Sequence, residues 1–95
     1  MLGIAAKAGG VVSGEFSVEQ AVKSGKAYLV IVSKEASANT KKNFSDMSTF
    51  YKVPYVEYGS KEDLGRCIGK QFRASLAITD ERLAAAVKEK LPIEN

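Results

Sequence analysis

The chain has 95 residues, 45% hydrophobic and 26% charged, with a net charge of +3; this fits one small globular domain and excludes a disordered tail. Its longest apolar run, Ala27 to Val32, is far too short to span a bilayer, and Met1 to Gly10 lacks the apolar stretch of a signal peptide, so a cytoplasmic protein is expected. There is no histidine and one cysteine, Cys67, which excludes an internal disulfide, a Ser-His or Cys-His dyad and a zinc site of the usual kind from one chain; no enzymatic activity, metal or cofactor is expected.

Helical and strand patterns alternate along the chain. Leu2, Ala5, Ala6 and Ala8 predict a short first helix ended by Gly9-Gly10. Val11-Val12-Ser13 reads as a strand broken by Gly14. Val18, Ala21 and Val22 then share one face of a second helix, which Gly25 stops in the C′ position. Tyr28 to Val32 reads as a strand buried on both faces. Ser37 and Asn39 are N-cap candidates for a third helix, with Phe44, Met47, Phe50 and Tyr51 as its inward stripe.

Pro54 to Tyr58 is the third predicted strand, with the proline at its start where it costs least. Ser60 and Asp63 approximate a capping box for a helix that turns Leu64, Cys67 and Ile68 inward. Arg73 to Thr79 is the fourth predicted strand. Asp80 caps a last helix with Leu83, Ala84, Val87 and Leu91 inward, ended by Pro92. Five helices alternating with four strands predict a three-layer α/β/α sandwich with a mixed four-stranded sheet, in one domain over residues 1–95.

Few motifs carry chemistry. Gly65-x-x-x-Gly69-Lys70 has one residue too few between its glycines for a phosphate loop, and Gln71 stands where Ser or Thr is needed. Gly69 reads better as a helix end. Gly14-Glu15-Phe16-Ser17 joins a strand to a helix, where free N–H groups attract phosphate and where Ser17 and Gln20 can bond base edges; an ordinary helix start with a solvated face fits as well. Lys70-Gln71-Phe72-Arg73 is a polar turn around one aromatic. An exposed Phe72 beside cations can stack a base, whereas a Phe72 turned into the core cannot. Lys23 and Lys26, and separately Lys41 and Lys42, add positive charge. Glu15 and Glu19 are close in sequence but fit an exposed helix surface better than paired catalytic acids.

An ordered set of segments adds to this reading: Lys7-Ala8-Gly9, Val12-Ser13-Gly14-Glu15, Ala21-Val22-Lys23-Ser24-Gly25-Lys26-Ala27, Leu29-Val30-Ile31-Val32, Ala36-Ser37 with Asn39-Thr40-Lys41-Lys42, Val53-Pro54, Leu64-Gly65 with Ile68-Gly69-Lys70, and Ala77-Ile78-Thr79-Asp80. Together they resemble the kink-turn-binding ribosomal protein family of archaeal large-subunit protein seven-Ae and eukaryotic protein thirty-e. The likeness is greatest to its small bacterial members, those encoded beside transcription and translation factors, and it spans roughly residues 2 to 87.

The resemblance implies an α/β/α sandwich that binds kink-turn RNA as a ribosomal or ribosome-associated monomer. In the family the start of the second helix meets the sheared G·A pairs, and the loop before the last strand covers an extruded base. Carried over, the first site is Gly14, Glu15, Phe16, Ser17 and Gln20, with Lys23 nearby, and the second is Gln71, Phe72 and Arg73; the two are expected side by side. Phe16-Ser17 stands where many members have Asn-Glu or Lys-Gln, and Gln20 stands where they have Lys. These departures imply weaker or retargeted binding. The alternative, a protein-interaction module docking on a translation or transcription factor, calls for an acidic or apolar surface at the two loops.

Overall fold

The computed structural model of the chain describes residues 10–67 and 72–90. The predicted first helix, Ile68, Gly69, Lys70, Gln71, Leu91 and Pro92 lie outside the described residues, as does the side chain of Cys67. In chain order the elements are β1 (Val11–Ser13), α1 (Glu15–Lys23), β2 (Leu29–Val32), α2 (Ala38–Phe50), β3 (Tyr55–Glu57), α3 (Lys61–Cys67), β4 (Ser75–Ile78) and α4 (Glu81–Lys90). The predicted second helix is therefore α1.

The strands form one mixed sheet in the order β1-β4-β2-β3. β4 runs antiparallel to both β1 and β2, whereas β2 and β3 are parallel. Alternation along the central strands sends side chains to opposite faces. Val30 and Val32 of β2 and Ala77 of β4 join a core with Val18, Ala21 and Val22 of α1 and Phe44 of α2. Leu29 and Ile31, with Leu76 and Ile78, join a second core with Val56, Leu64 of α3, and Ala84 and Val87 of α4. Two apolar layers on one sheet make the α/β/α sandwich. Val30 and Ile78 are wholly buried. Removing a Val, Leu or Ile side chain of this kind from water is worth about 1.5–3 kcal/mol.

Caps divide the sequence much as predicted. Ser37 Oγ accepts from the Thr40 N–H at 3.1 Å and caps α2, while Asn39 lies inside the helix. Ser60 and Asp63 bond each other's backbone N–H at 3.0 and 3.2 Å, the reciprocal capping box. Asp80 Oδ1 accepts from the Leu83 N–H at 2.9 Å and caps α4. Gly25 follows the end of α1 with φ +77°, a left-handed conformation that suits glycine.

Several boundaries differ from expectation. Tyr28, Pro54, Tyr58, Arg73, Ala74 and Thr79 fall just outside the strands, although the N–H groups of Tyr28, Tyr58 and Thr79 still donate to the carbonyls of Ile78, Val32 and Gly10. Phe50 and Tyr51 do not point inward. Phe50 is 78% exposed, and the two rings meet edge to face at 5.0 Å on the surface. Phe50 is on the side of α2 away from buried Ser48, and Tyr51 is the C-cap, past the last helical residue. Buried Ser48 occupies the inward position instead.

Candidate nucleic-acid interface

At one end of the sheet, β1 hands over to α1 and the chain re-enters β4. Gly14 makes the first handover with φ 91° and ψ 151°, a region essentially closed to residues with a Cβ. Its N–H donates to the Ser75 carbonyl at 3.1 Å, so the start of α1 is tied to the start of β4. Among the described residues no side chain caps α1, in contrast to α2, α3 and α4. Glu15 brings one carboxylate to that turn, and its first N–H groups have no side-chain cap among the described residues.

Phe16, Ser17 and Gln20 are exposed, Phe16 at 73%. Helical geometry puts Phe16, Gln20 and Lys23 on one outward stripe. Lys23 ends that stripe, about 9 Å along the helix from Ser17. There its ammonium bonds Glu19 at 3.0 Å, and this hydrogen bond, then the carboxylate charge, holds it above the ordinary lysine range. Lys23 is therefore on the surface of α1 but apart from the group at its start.

The loop before β4 supplies the second half. Phe72 is 60% exposed, which settles the choice between core and surface left open by the sequence. Arg73 is held three ways. Its N–H donates to the Lys61 carbonyl at 3.0 Å, its Nε donates to Ser13 Oγ at 3.1 Å, and its Nη1 donates to the Phe72 carbonyl at 2.7 Å. Among the described residues no carboxylate pairs with Arg73. The structure thus ties Ser13 and Gly14, just before α1, to Arg73 and Ser75; Phe16 and Ser17 follow in the first turn of α1, Phe72 precedes Arg73, and Gln71 lies outside the described residues.

The surroundings are braced. Lys61, which receives Arg73, has its own N–H on Glu35 Oε1 at 2.9 Å. Ser33 Oγ and the Lys34 N–H both donate to the Gly59 carbonyl, at 3.0 and 2.9 Å. On the other flank, Glu15 and Glu19 line a groove of about 250 Å³ with Asn43, Phe44 and Met47 of α2. Two carboxylates make that groove unfavourable for phosphate. Glu15, a predicted contact, thus lines the acidic flank, and Ser17 lies on the opposite one. Sequence reasoning missed Ser13, Glu35 and the Lys61 carbonyl. Their roles rest on pairings across the fold that no local spacing signals. A fixed guanidinium, first-turn N–H groups and two exposed aromatic rings are chemically able to hold phosphates and stack bases.

The model of the ribosomal protein L7Ae/L30e/S12e/Gadd45 family matches residues 1–88. The chain is 43% identical over 84 residues to the RNA-binding protein YlxQ of Bacillus subtilis (strain 168), a match covering 88% of this chain and 84% of that protein. It is 36% identical over 89 residues to the RNA-binding protein YlxQ of Enterococcus faecium, covering 94% and 85%. Among solved structures it is similar to a protein with unknown function from Bacillus halodurans C, with TM-score 0.84, 37% identity and coverage of 93% of this chain and 92% of that one. It shares its fold with the Giardia lamblia 15.5kD RNA binding protein, with TM-score 0.80, 24% identity and coverage of 94% and 76%. Among the described residues no helix is long and apolar enough to cross a membrane.

Proposed function

Since this chain belongs to the ribosomal protein L7Ae/L30e/S12e/Gadd45 family, we propose that it binds structured RNA, with a kink-turn as the preferred form, as a ribosomal or ribosome-associated protein. Two of its relatives are named RNA-binding proteins, which supports the RNA partner. The observation that carries the reading is the Arg73–Ser13 bond at 3.1 Å beside the uncapped start of α1. It holds a guanidinium without a carboxylate partner among the described residues next to a set of backbone donors.

Recognition in this reading is by shape. Arg73 and the first-turn N–H groups of α1 take phosphates on either side of a sharp bend. Phe72 covers a base displaced from the stack. Ser17 and Gln20 meet base edges, and Lys23 meets a phosphate further along the outward stripe. The acidic groove beside α2 keeps the RNA backbone off that flank. One copy of the chain supplies the whole surface.

The test is an equilibrium binding measurement of the full chain with a kink-turn RNA and with an uninterrupted duplex of the same length. Tighter binding to the kink-turn, lost progressively as salt rises, is the expected result. Equal affinity for both RNAs rules out the bent-RNA reading.

A further inference from the structure

Phe16 and Phe72 lie on the two segments that extend beyond one end of the β1–β4 ladder. The Cα partners Ser13 and Leu76 close the β1–β4 ladder, and the Gly14 N–H bonds the Ser75 carbonyl just beyond. Past that point the two chains diverge, with Phe16 two residues after Gly14 and Phe72 three before Ser75. Arg73, next to Phe72, bonds Ser13, three residues before Phe16.

A single exposed phenylalanine needs no explanation. Two that are 73% and 60% exposed, each within three residues of a partner in the Arg73–Ser13 bond, are a different observation. Neither ring belongs to a core cluster. Phe16 points away from the face of α1 formed by Val18, Ala21 and Val22, so folding gains little from it. A phenyl ring has no donor or acceptor, so Phe16 cannot read a base edge. It can offer a face on which any base stacks.

We infer that Phe16 and Phe72 are paired stacking platforms, each taking one unpaired base, and that this site selects RNA by unstacked bases held around a bend rather than by the edges of particular base pairs. The inference rests on the RNA-binding reading above and deepens it. Arg73 holds a backbone phosphate of the internal loop. The partner is thus an RNA internal loop with at least two bases free to leave the stack, with little preference for which bases they are.

The test uses the full chain and a kink-turn RNA carrying 2-aminopurine at its unpaired positions. Phe16→Ala and Phe72→Ala should each lower affinity about 5- to 150-fold with the salt slope unchanged. Phe16→Tyr should bind like the parent, whereas Phe16→Leu, apolar but without a ring, should behave like Phe16→Ala. Replacing the G·A pairs by other mismatches should cost the parent less than closing the loop with Watson–Crick pairs. The thermal midpoint of Phe16→Ala should match the parent, because the ring is exposed. Parent-like binding by Phe16→Ala and Phe16→Leu, with Phe72→Ala and Arg73→Ala weakened, overturns the paired-platform inference and leaves the RNA-binding reading standing. Failure of the parent chain to distinguish kink-turn from duplex overturns both.

Discussion

The Nε of Arg73 donates to the Oγ of Ser13 at 3.1 Å, joining residues sixty positions apart in the chain. The bond couples the loop before β4 to the end of β1, and so to the start of α1. Charge and anchoring can be separated at this pair. Arg73→Ala removes both the cation and the anchor. It should weaken RNA binding and lower the log–log salt slope by roughly 0.7 to 0.9. Ser13→Ala removes only the anchor, so affinity should fall modestly with the slope intact. Titrations at several salt concentrations check this. Equal slopes for Arg73→Ala and the parent would reduce Arg73 to a loop anchor.

Gly14 tests the handover itself. An added Cβ meets nothing within 4 Å, so sterics with neighbours are not the obstacle. The obstacle is the backbone, at φ 91° and ψ 151°. Gly14→Ala should cost about 1–3 kcal/mol in chemical denaturation. RNA binding should also weaken, since relief of the strain would shift the first N–H groups of α1. An unchanged denaturation midpoint would mean the turn relaxes freely.

Ser48 is buried, and its hydroxyl has no hydrogen-bond partner among the described residues. A buried hydroxyl of this kind carries its desolvation cost without a compensating bond. Ser48→Ala should therefore raise stability, by about 1 kcal/mol, read as a higher thermal midpoint. A loss of stability would reveal a bonded hydroxyl.

The same helix shows what the sequence discloses and what it hides. The buried runs of β2 and β4, the caps at Ser37, Ser60–Asp63 and Asp80, and the inward face of α1 follow from local pattern, because each depends on neighbours within four residues. The last turn of α2 does not. Met47 and Ser48 take its inward positions, Phe50 sits about 200° of helix from Ser48 and faces out, and Tyr51 falls past the helix end. The site divides the same way. Both of its segments were legible as motifs, and their order along the chain carried the family likeness. Whether Phe72 faced water, and that Arg73 reached Ser13, depended on β1–β4 pairing across the whole chain.

Tyr55 gives a pH dependence. Burial, then the hydrogen bond to Glu57 Oε2 at 3.0 Å and its charge, pushes the phenol well above the ordinary tyrosine range. The unfolded chain ionises this phenol near pH 10. The raised value therefore stabilises the fold fully below about pH 10, and that contribution is lost as pH rises further. Denaturation midpoints should decline on the alkaline side, and Tyr55→Phe should flatten the decline. An unchanged alkaline limb in Tyr55→Phe would assign it to other groups.

The length of the RNA footprint on α1 is decided at Lys23. Phe16, Gln20 and Lys23 lie on one outward stripe, but Lys23 is tied to Glu19 at 3.0 Å, about 9 Å of helix beyond Ser17. If the RNA follows the whole stripe, a phosphate competes with Glu19 for this ammonium. Lys23→Ala should then lower the salt slope by roughly 0.7 to 0.9, as Arg73→Ala does. Glu19→Gln removes a repulsive carboxylate and frees Lys23 from its ion pair, so it should tighten binding, most at low salt. The double variant Lys23→Ala/Glu19→Gln separates the two effects, because any gain that survives without the lysine comes from the lost carboxylate alone. An unchanged slope in Lys23→Ala, with Arg73→Ala reduced, would end the footprint at the first turns of α1 and leave the Lys23–Glu19 pair as an ordinary helix-surface interaction.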